Sequence, residues 1–407
     1  IAKGESMTTL PPLDLWHDEF IAIRRDLHQH PELGYEEFRT ADKIADYLQS
    51  WCIPFHRGLG GTGVVGILTG TQGTGPTIGL RADIDALPMP EQNQFAHKSQ
   101  HDGVMHACGH DGHTTMLLAA AKYLAQHNHF KGTVYFIFQP AEEGLGGAKK
   151  MIEDGLFTQF PMDAVFGLHN WPTLPTGHFG LRTGAIMASS NIFVIDIQGK
   201  GAHGAMPHLA ADPIMAATSI VQGLQTIVSR YLDPQEPAVL SITQLHAGSA
   251  DNVIPDTAQI RGTVRTFSSQ ATDQIEEHLR RISQQTAAAM SCQAYIDFDR
   301  RYPPTVNHAI PTQFCADLLK NWLGEASVID PVAPSMAAED FSFMLENVPG
   351  CYLFLGNGDG DHRLAGHGLG PCTLHNGSYD FNDALIPIGA TYWVKLALAW
   401  LKHPPIP

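Results

Sequence analysis

Residues 105–113 place metal-coordinating side chains next to one another. This stretch, MHACGHDGH, contains one thiol, three imidazoles and one carboxylate, and the apolar helical pattern TTMLLAAAKYLAQH follows it. Cys108 and His110 are spaced so that one loop at a helix start can present both to a zinc-like ion. The alternative is that Cys108 is a small buried residue and that His110 caps the helix. His106 and His113 are typical of residues that support a metal site rather than bind the ion. Asp111 either orients an imidazole or caps the helix.

A second candidate is a pair of adjacent carboxylates after an apolar strand. TVYFIFQPAEEG ends in Glu142 and Glu143, and α/β proteins place their chemistry at the carboxyl edge of the sheet. One carboxylate can bind metal while the other takes a proton from water, so we assign Glu143 as a ligand and Glu142 as the general base. The alternative is that both merely favour the N-terminus of the next helix. Pro140 and Gly144 constrain this turn more than an ordinary cap requires.

Two further histidines complete the set. DAVFGLHNW places His169 at the end of a strand pattern, and CTLHNGSYDFND places His375 in the same Leu-His-Asn setting. A single histidine after a strand is usually structural. Together with Cys108, His110 and Glu143, however, they make five ligand-type side chains at predicted sheet edges. That number suffices for two metal ions that share a bridging group. Two such ions would polarise the bond under attack and would activate a water near neutral pH.

The composition predicts an acidic, cytoplasmic protein of two domains. The chain has 407 residues, and 43% of them are apolar, which is enough to bury two cores. It carries 41 acidic against 25 basic residues, so nucleic acid and anionic membranes are disfavoured as partners. Its apolar runs fall short of the roughly 18 residues that span a bilayer. Its six cysteines lack a tight spacing pattern, which indicates reduced thiols.

Hydrophobic periodicity divides the chain into two kinds of segment. Residues 8–186 and 301–407 alternate continuous apolar strands with helices, which indicates an α/β fold with a mainly parallel sheet sandwiched by helices. Residues 187–300 follow the β-α-β-β-α-β order of ferredoxin-like α+β domains. We therefore expect a metal-binding catalytic domain interrupted by an inserted domain. Met7 is interpreted as the natural start, and residues 1–6 as an expression remnant without signal-peptide character.

The first helix predicted in the inserted domain has one apolar stripe. Ala216, Ile220, Leu224, Ile227 and Tyr231 recur at helical spacing. We expect these five side chains to be buried against the sheet of that domain.

Ordered motifs run along nearly the whole chain: RRDLHQHPELGYEE, GGTGVVGIL, RADIDALPMPE, MHACGHDGHT, FQPAEEG, GLHNWP, GKGAHGAMPH, DNVIPD, GTVRTF, EDFSFM and LHNGSYDFND. With them the chain resembles the dinuclear metallo-amidohydrolases. That family includes aminoacylases, hippurate hydrolases, auxin–amino acid conjugate hydrolases and N-acetyldiaminopimelate deacetylases, and glutamate carboxypeptidases are more distant kin. Arg81 stands where the carboxypeptidases have a metal-binding histidine, so Asp83 and Asp85 are expected to support the site. Gly377 stands where relatives commonly show proline.

The resemblance implies roles for particular residues. The implied metal ligands are Cys108, His110, Glu143, His169 and His375. Glu142 is the implied proton shuttle. The resemblance also implies that the inserted domain is a lid or dimerisation domain, in a homodimer or homotetramer.

Within the inserted domain the resemblance singles out one histidine. His203 in KGAHGAMPH is similar to a residue, often from the neighbouring subunit, that hydrogen-bonds the scissile carbonyl as charge develops. A solvated loop histidine is the alternative. Asn252 and Arg261 are plausible holders of the substrate carboxylate, and for Arg261 an ordinary surface charge is the alternative.

The function predicted from these residues is metal-dependent hydrolysis of the amide bond of N-acyl-amino acids. A dipeptidase or carboxypeptidase using the same site is the alternative within enzymes. A non-catalytic metal-binding protein is the alternative from another class, although a closed site would need only one of the two adjacent glutamates. The mixed ligand set accepts two ions of zinc, manganese, cobalt or nickel, and the thiolate tilts the choice toward zinc.

Overall fold

The computed structural model describes residues 9–405, so the predicted expression remnant, residues 1–6, lies outside the described residues. The chain divides into two compact units. Unit 1 comprises residues 9–186, Val306–Ala333 and 340–405, and unit 2 comprises Met187–Thr305 and Pro334–Glu339. The short segments 301–305 and 334–339, which we predicted within the first domain, are thus grouped with unit 2.

The helices and strands follow one another in three stretches. The first stretch contains α1 (Pro11–Leu15), α2 (His17–Gln29), α3 (Phe38–Ser50), β1 (Phe55–Leu59), β2 (Gly63–Thr69), β3 (Thr77–Asp83), α4 (His110–Gln126), β4 (Thr133–Gln139), α5 (Gly147–Glu153), α6 (Leu156–Gln159), β5 (Ala164–Trp171), β6 (Phe179–Gly180) and β7 (Gly184–Met187). The second contains β8 (Ser190–Gln198), β9 (Ala202–His203), α7 (Pro213–Thr226), β10 (Ala238–Ala247), β11 (Val253–Ile254), β12 (Thr257–Thr266), α8 (Ser269–Ala289) and β13 (Gln293–Tyr302). The third contains β14 (Thr305–Asn307), α9 (Ala309–Leu323), β15 (Val328–Ile329), α10 (Phe341–Asn347), β16 (Gly350–Gly356) and α11 (Leu385–Lys402).

Unit 1 is built on an eight-stranded sheet with the order β1-β2-β4-β3-β5-β16-β6-β15. The central strands β4, β3, β5 and β16 run parallel to one another, and antiparallel pairs occur at β1/β2, β2/β4 and β16/β6. The central strands are buried along almost their whole length because helices cover the sheet. The predicted α/β class with a mainly parallel sheet is confirmed.

The parallel strands bring the site-bearing segments to one edge. Strands β3, β4 and β5 end at Asp83, Gln139 and Trp171. Because parallel strands share a carboxyl edge, the residues that follow Asp83 and Gln139 lie beside the end of β5. Helix α4 is buried on nearly all sides, and α11 packs against it. This packing fixes α4 at the same edge of the sheet.

Unit 2 has the predicted β-α-β-β-α-β order. Four of its strands form an antiparallel sheet with the order β10-β12-β8-β13, and α7 and α8 pack on it, while the short strands β9 and β11 pair separately. Phe193, Ile195 and Ile220 are among the buried residues of its core. The ferredoxin-like prediction is therefore confirmed.

Tyr231 was wrongly predicted to be buried. Its side chain is 46% exposed, whereas Ile227 is fully buried. Residues Ile227–Tyr231 form a π-helical turn after α7. The wider turn shifts the angular position of each following side chain, so Tyr231 leaves the apolar stripe.

All six cysteines lie in the described part of the chain and are free thiols; Cys52 is exposed and the other five are buried. Between residues 9 and 405, none of the helices is long and apolar enough to cross a membrane. The cytoplasmic location stays a prediction.

Candidate metal centre

The first two predicted ligands flank the start of α4. The helix begins at His110, four residues before the apolar pattern suggested, and its N-cap is Gly109 with φ 90°. A Cβ at Gly109 would collide with the side-chain amide of Asn170 and would lie 2.5 Å from the Tyr379 hydroxyl. Glycine is therefore required at this position, both by the positive φ and by the close approach. Cys108 lies directly before this turn.

The five predicted ligands come together in two groups that overlap. The ligand atoms of Cys108, His110 and His169 lie within 4.8 Å of one another, and so do those of Cys108, Glu143 and His375. The Sγ of Cys108 is 3.3 Å from Nε2 of His169, and Nε2 of His375 is 3.3 Å from Oε1 of Glu143. Because Cys108 belongs to both groups, its sulfur stands where two ions could share it.

Nε2 of His110 is buried without a hydrogen-bond partner among the described residues, and the buried Oε1 of Glu143 faces Nε2 of His375 at 3.3 Å without forming a hydrogen bond to it. Buried polar atoms of this kind are rare and call for a partner such as an ion. The other nitrogen of His110, Nδ1, lies 2.9 Å from the Asp85 carbonyl oxygen, so it can donate there and leave Nε2 as a lone-pair donor. Imidazole, thiolate and carboxylate atoms in this arrangement fit divalent cations.

The same arrangement recurs at His169. Its Nδ1 lies 2.6 Å from the carbonyl oxygen of Asn170, which leaves Nε2 facing Cys108. His113, by contrast, is fully engaged: Nδ1 lies 2.6 Å from Asp83 Oδ1, and Nε2 accepts the Asn170 N–H at 2.9 Å. His113 therefore supports the centre, and neither of its nitrogens is left for a cation.

Arg81 holds the acidic residues behind the centre. Its guanidinium donates to Asp83 Oδ2 at 2.7 Å, to Gln139 Oε1 at 2.7 Å and to Asp340 Oδ1 at 3.0 Å, and all these side chains are buried. Asp85 bridges two ligands, because Oδ1 lies 3.2 Å from His110 Nδ1 while Oδ2 accepts the Glu143 N–H at 2.9 Å. Asp83 and Asp85 thus occupy supporting positions.

Cys108, His110 and His169 are buried, whereas Glu143 is half-buried and His375 is exposed, and the centre is rich in negative charge. Burial raises the pKa of the Cys108 thiol well above its ordinary value, and the charges of Glu143 and Glu142 raise it further. Burial lowers the pKa of His110, but Asp83 and Asp85 outweigh it and raise that pKa to about 10. Divalent cations would compensate this excess of negative charge and favour the thiolate.

Glu142 lies beside these groups. Its ligand atom is within 4.8 Å of those of His110 and Glu143, and the side chain is 6% exposed. Its Oε1 accepts the backbone N–H of Asp340 at 3.4 Å. A carboxylate held next to the ligand set can exchange a proton with a water bound there.

Two of the three predicted residues of unit 2, His203 and Arg261, lie in two different sheets, and Asn252 directly precedes β11. His203 ends β9 and pairs with Val253 of β11, so it is a neighbour of Asn252, whose carbonyl oxygen accepts the Gly204 N–H at 2.7 Å. Arg261 lies on β12 of the four-stranded sheet, opposite Val194. All three predicted side chains are exposed. The structure brings His203 and Asn252 together and leaves Arg261 on the other sheet.

Sequence reasoning missed several supporting residues. Asn170 donates from Nδ2 to the Cys108 carbonyl oxygen at 2.6 Å, and its Oδ1 accepts the Tyr379 hydroxyl at 2.7 Å. The repeated Leu-His-Asn setting was a signal for Asn170 that went unused. Asp111 does not cap α4; its Oδ2 lies 2.8 Å from Nδ1 of His28, a residue that no spacing argument pointed to.

A sequence model of peptidase family M20/M25/M40 matches residues 79–399. The chain belongs to this family. Among its relatives, hippurate hydrolase of Campylobacter jejuni is 43% identical, over 97% of this chain and 100% of that protein. An IAA-amino acid hydrolase of Arabidopsis thaliana is 40% identical, over 95% of this chain and 86% of that protein. The resemblance inferred from the motifs is confirmed.

Solved structures share the fold of this M20/M25/M40 family member. One is a protein of Bacillus subtilis described as a dinuclear metal-binding peptidase of the M20 family. It superposes with a TM-score of 0.82 at 36% identity, and the match covers 96% of this chain and 99% of that one. That structure is described as binding two metal ions, and the candidate ligands of this M20/M25/M40 member also suit metal ions. Both observations indicate divalent ions.

Proposed function

We propose that this chain is a metal-dependent amidohydrolase that cleaves the amide bond of N-acyl-amino acids by means of an activated water. One observation carries the proposal: two ligand groups overlap at Cys108, and a further carboxylate, Glu142, stands beside them. A closed, non-catalytic metal site has no use for that second carboxylate. Relatives named hippurate hydrolase and IAA-amino acid hydrolase support the substrate class.

We propose that two divalent ions are held by Cys108, His110, Glu143, His169 and His375. Zinc, manganese, cobalt or nickel suits this mixed set. The chemistry supplied by two such ions when bound is polarisation of the scissile carbonyl and a lowered pKa for a water. Asp85 would fix the ring of His110, and the Asn170 carbonyl would fix that of His169.

Glu142 would move the proton. Its carboxylate accepts a proton from the attacking water and then delivers it to the leaving amine nitrogen, so the amide and one water become a carboxylate and a free amino acid. Its near-complete burial suits this role, because a shielded carboxylate retains the proton between the two transfers. The Asp340 N–H at Oε1 orients the carboxylate.

The residues of unit 2 would act on the rest of the substrate. His203 would donate a hydrogen bond to the carbonyl oxygen as negative charge develops on it, a contact typically worth about 2.7–4 kcal/mol. Asn252 and Arg261 would bind the carboxylate of the amino acid. We further propose a homodimer or homotetramer, to be checked by light scattering.

A substrate panel tests the function. Acetyl-, benzoyl- and indoleacetyl-amino acids are compared with dipeptides, using protein stripped of metal and reconstituted with each ion in turn. The proposal expects hydrolysis of at least one acyl-amino acid class, with kcat/KM above that for every dipeptide. Faster cleavage of dipeptides would favour a dipeptidase, and tight metal binding without turnover would favour a non-catalytic protein.

A further inference from the structure

The turn that carries Glu142 and Glu143 contains an unusual backbone conformation. Ala141, directly before the two glutamates, has φ 54°, in the left-handed region that residues with a Cβ rarely adopt. It is fully buried. A residue persists there only when the surrounding structure holds it, and such positions cluster at functional sites.

Glu37 holds this backbone. Its Oε1 accepts the Ala141 N–H at 2.8 Å, and its Oε2 accepts the Thr62 hydroxyl at 2.6 Å. Glu37 stands directly before α3, where a carboxylate would ordinarily cap its own helix. Here Glu32 caps α3 instead, because its carboxylate accepts the N–H groups of Arg39 and Thr40 at 2.9 and 2.8 Å. The Glu37 carboxylate is therefore directed to the distant turn, although its own helix start offers donors.

The loop before Glu37 also fits the turn closely. A Cβ at Gly34 would lie 3.1 Å from both Cα and Cβ of Ala141 and 2.8 Å from Cδ1 of Leu145. The Tyr35 hydroxyl donates to the Leu145 carbonyl oxygen at 3.0 Å. The motif HPELGYEE, which the metal centre does not use, thus packs against the turn that presents the two catalytic-site glutamates.

We propose that Glu37 is a positioning residue for the Glu142 carboxylate. Its hydrogen bond to the Ala141 N–H keeps the turn in the left-handed conformation. If that contact is lost, rotation about Ala141 displaces Glu142, whereas Glu143 stays tied to Asp85 through its own N–H. The inference rests on the proposed function, and it separates proton transfer from metal binding.

Four variants and one control test this role. Glu37→Ala removes the acceptor, and Glu37→Gln keeps an oxygen for the Ala141 N–H. Ala141→Gly removes the backbone strain without touching Glu37, and it is also combined with Glu37→Ala. Glu32→Ala is the matched control, because it removes a half-buried carboxylate of the same motif that accepts hydrogen bonds from Arg39 and Thr40 of α3. Each protein is assayed for kcat, KM, bound metal and hydrogen exchange of the 137–148 peptide.

Glu37→Ala should lower kcat by about 10- to 100-fold, since a displacement of about 1 Å at a reacting group costs that much. KM and metal content should stay within about twofold, and exchange of the 137–148 peptide should accelerate. Glu37→Gln should remain close to the unsubstituted protein, and Ala141→Gly should restore most of the kcat lost in Glu37→Ala. Glu32→Ala should lower thermal stability and leave kcat unchanged.

Three results would overturn the proposal: unchanged kcat and exchange in Glu37→Ala, an equal loss of kcat in Glu32→Ala, or no recovery in the double variant. Failure of the proposed function would look different, because the unsubstituted protein would then hydrolyse no amide of the panel. The hydrogen-exchange comparison would still decide whether Glu37 holds the turn.

Discussion

The sulfur of Cys108 lies 3.3 Å from Nε2 of His169 and also belongs to the ligand group of Glu143 and His375. One sulfur therefore belongs to both ligand groups of the proposed dinuclear centre. Cys108→Ala should reduce bound metal from two ions to one or none. Turnover should fall by about 100-fold or more, because loss of even a supporting residue typically costs 10- to 100-fold. Metal analysis and kcat check this, and two tightly bound ions in the variant would contradict it.

Glycine at position 109 should be indispensable. Gly109 and Gly73 have similar backbone angles, φ 90° and 94°, but a Cβ at Gly109 meets Asn170 and Tyr379, whereas one at Gly73 meets nothing within 4 Å. Gly73→Ala should lower the free energy of unfolding by about 1–2 kcal/mol, which is the cost of the backbone strain alone. Gly109→Ala should lower the free energy of unfolding by clearly more, about 3 kcal/mol or above, and should displace Cys108. Urea unfolding of the two variants measures the difference, and equal losses would refute the steric argument.

The Tyr379 hydroxyl should stabilise the centre through Asn170. Tyr379→Phe leaves the buried Oδ1 of Asn170 without its donor, which should cost about 1–3 kcal/mol in the free energy of unfolding. Because Asn170 also contacts the Cys108 carbonyl and His113, metal affinity should fall by about 10-fold or more. Competition with a chelator measures the affinity. Unchanged affinity in a destabilised variant would limit Tyr379 to a structural role.

Stability should depend on pH through His28. Burial lowers its pKa, but hydrogen bonds to Asp111 and Glu91 outweigh burial and raise the pKa from 6.5 to about 9. The folded state therefore binds the proton more tightly than the unfolded state. The resulting stabilisation is complete below pH 6.5 and is lost as pH rises through 9.

This loss should amount to about 3 kcal/mol for a shift of this size. The free energy of unfolding of His28→Asn should lie below that of the unsubstituted protein at pH 6, and the gap should shrink by that amount at pH 9.5. His129→Asn, at an exposed position, is the control. A gap that stays constant between the two pH values would show that His28 is not charged in the folded protein.

Local pattern and residue type allowed the strands, the two-unit plan and the candidate ligands to be predicted. Five ligand-type side chains could be selected because few other roles combine a thiol, imidazoles and paired carboxylates. Residues that act through long-range contacts left no such signal: Glu37 reaches Ala141 across 104 positions, and His28 reaches Asp111 across 83. The burial of Tyr231 was predicted wrongly because helical periodicity assumes α-helical turns, whereas Tyr231 lies at the end of a π-helical turn.

The most direct test of the account is the turnover and metal content of Glu142→Gln. Glutamine keeps the shape and the hydrogen bond to the Asp340 N–H but cannot accept a proton. The account predicts two bound ions, as in the unsubstituted protein, and a kcat lower by about 10²- to 10⁴-fold on the best acyl-amino acid. Full turnover in Glu142→Gln with both ions bound would contradict it.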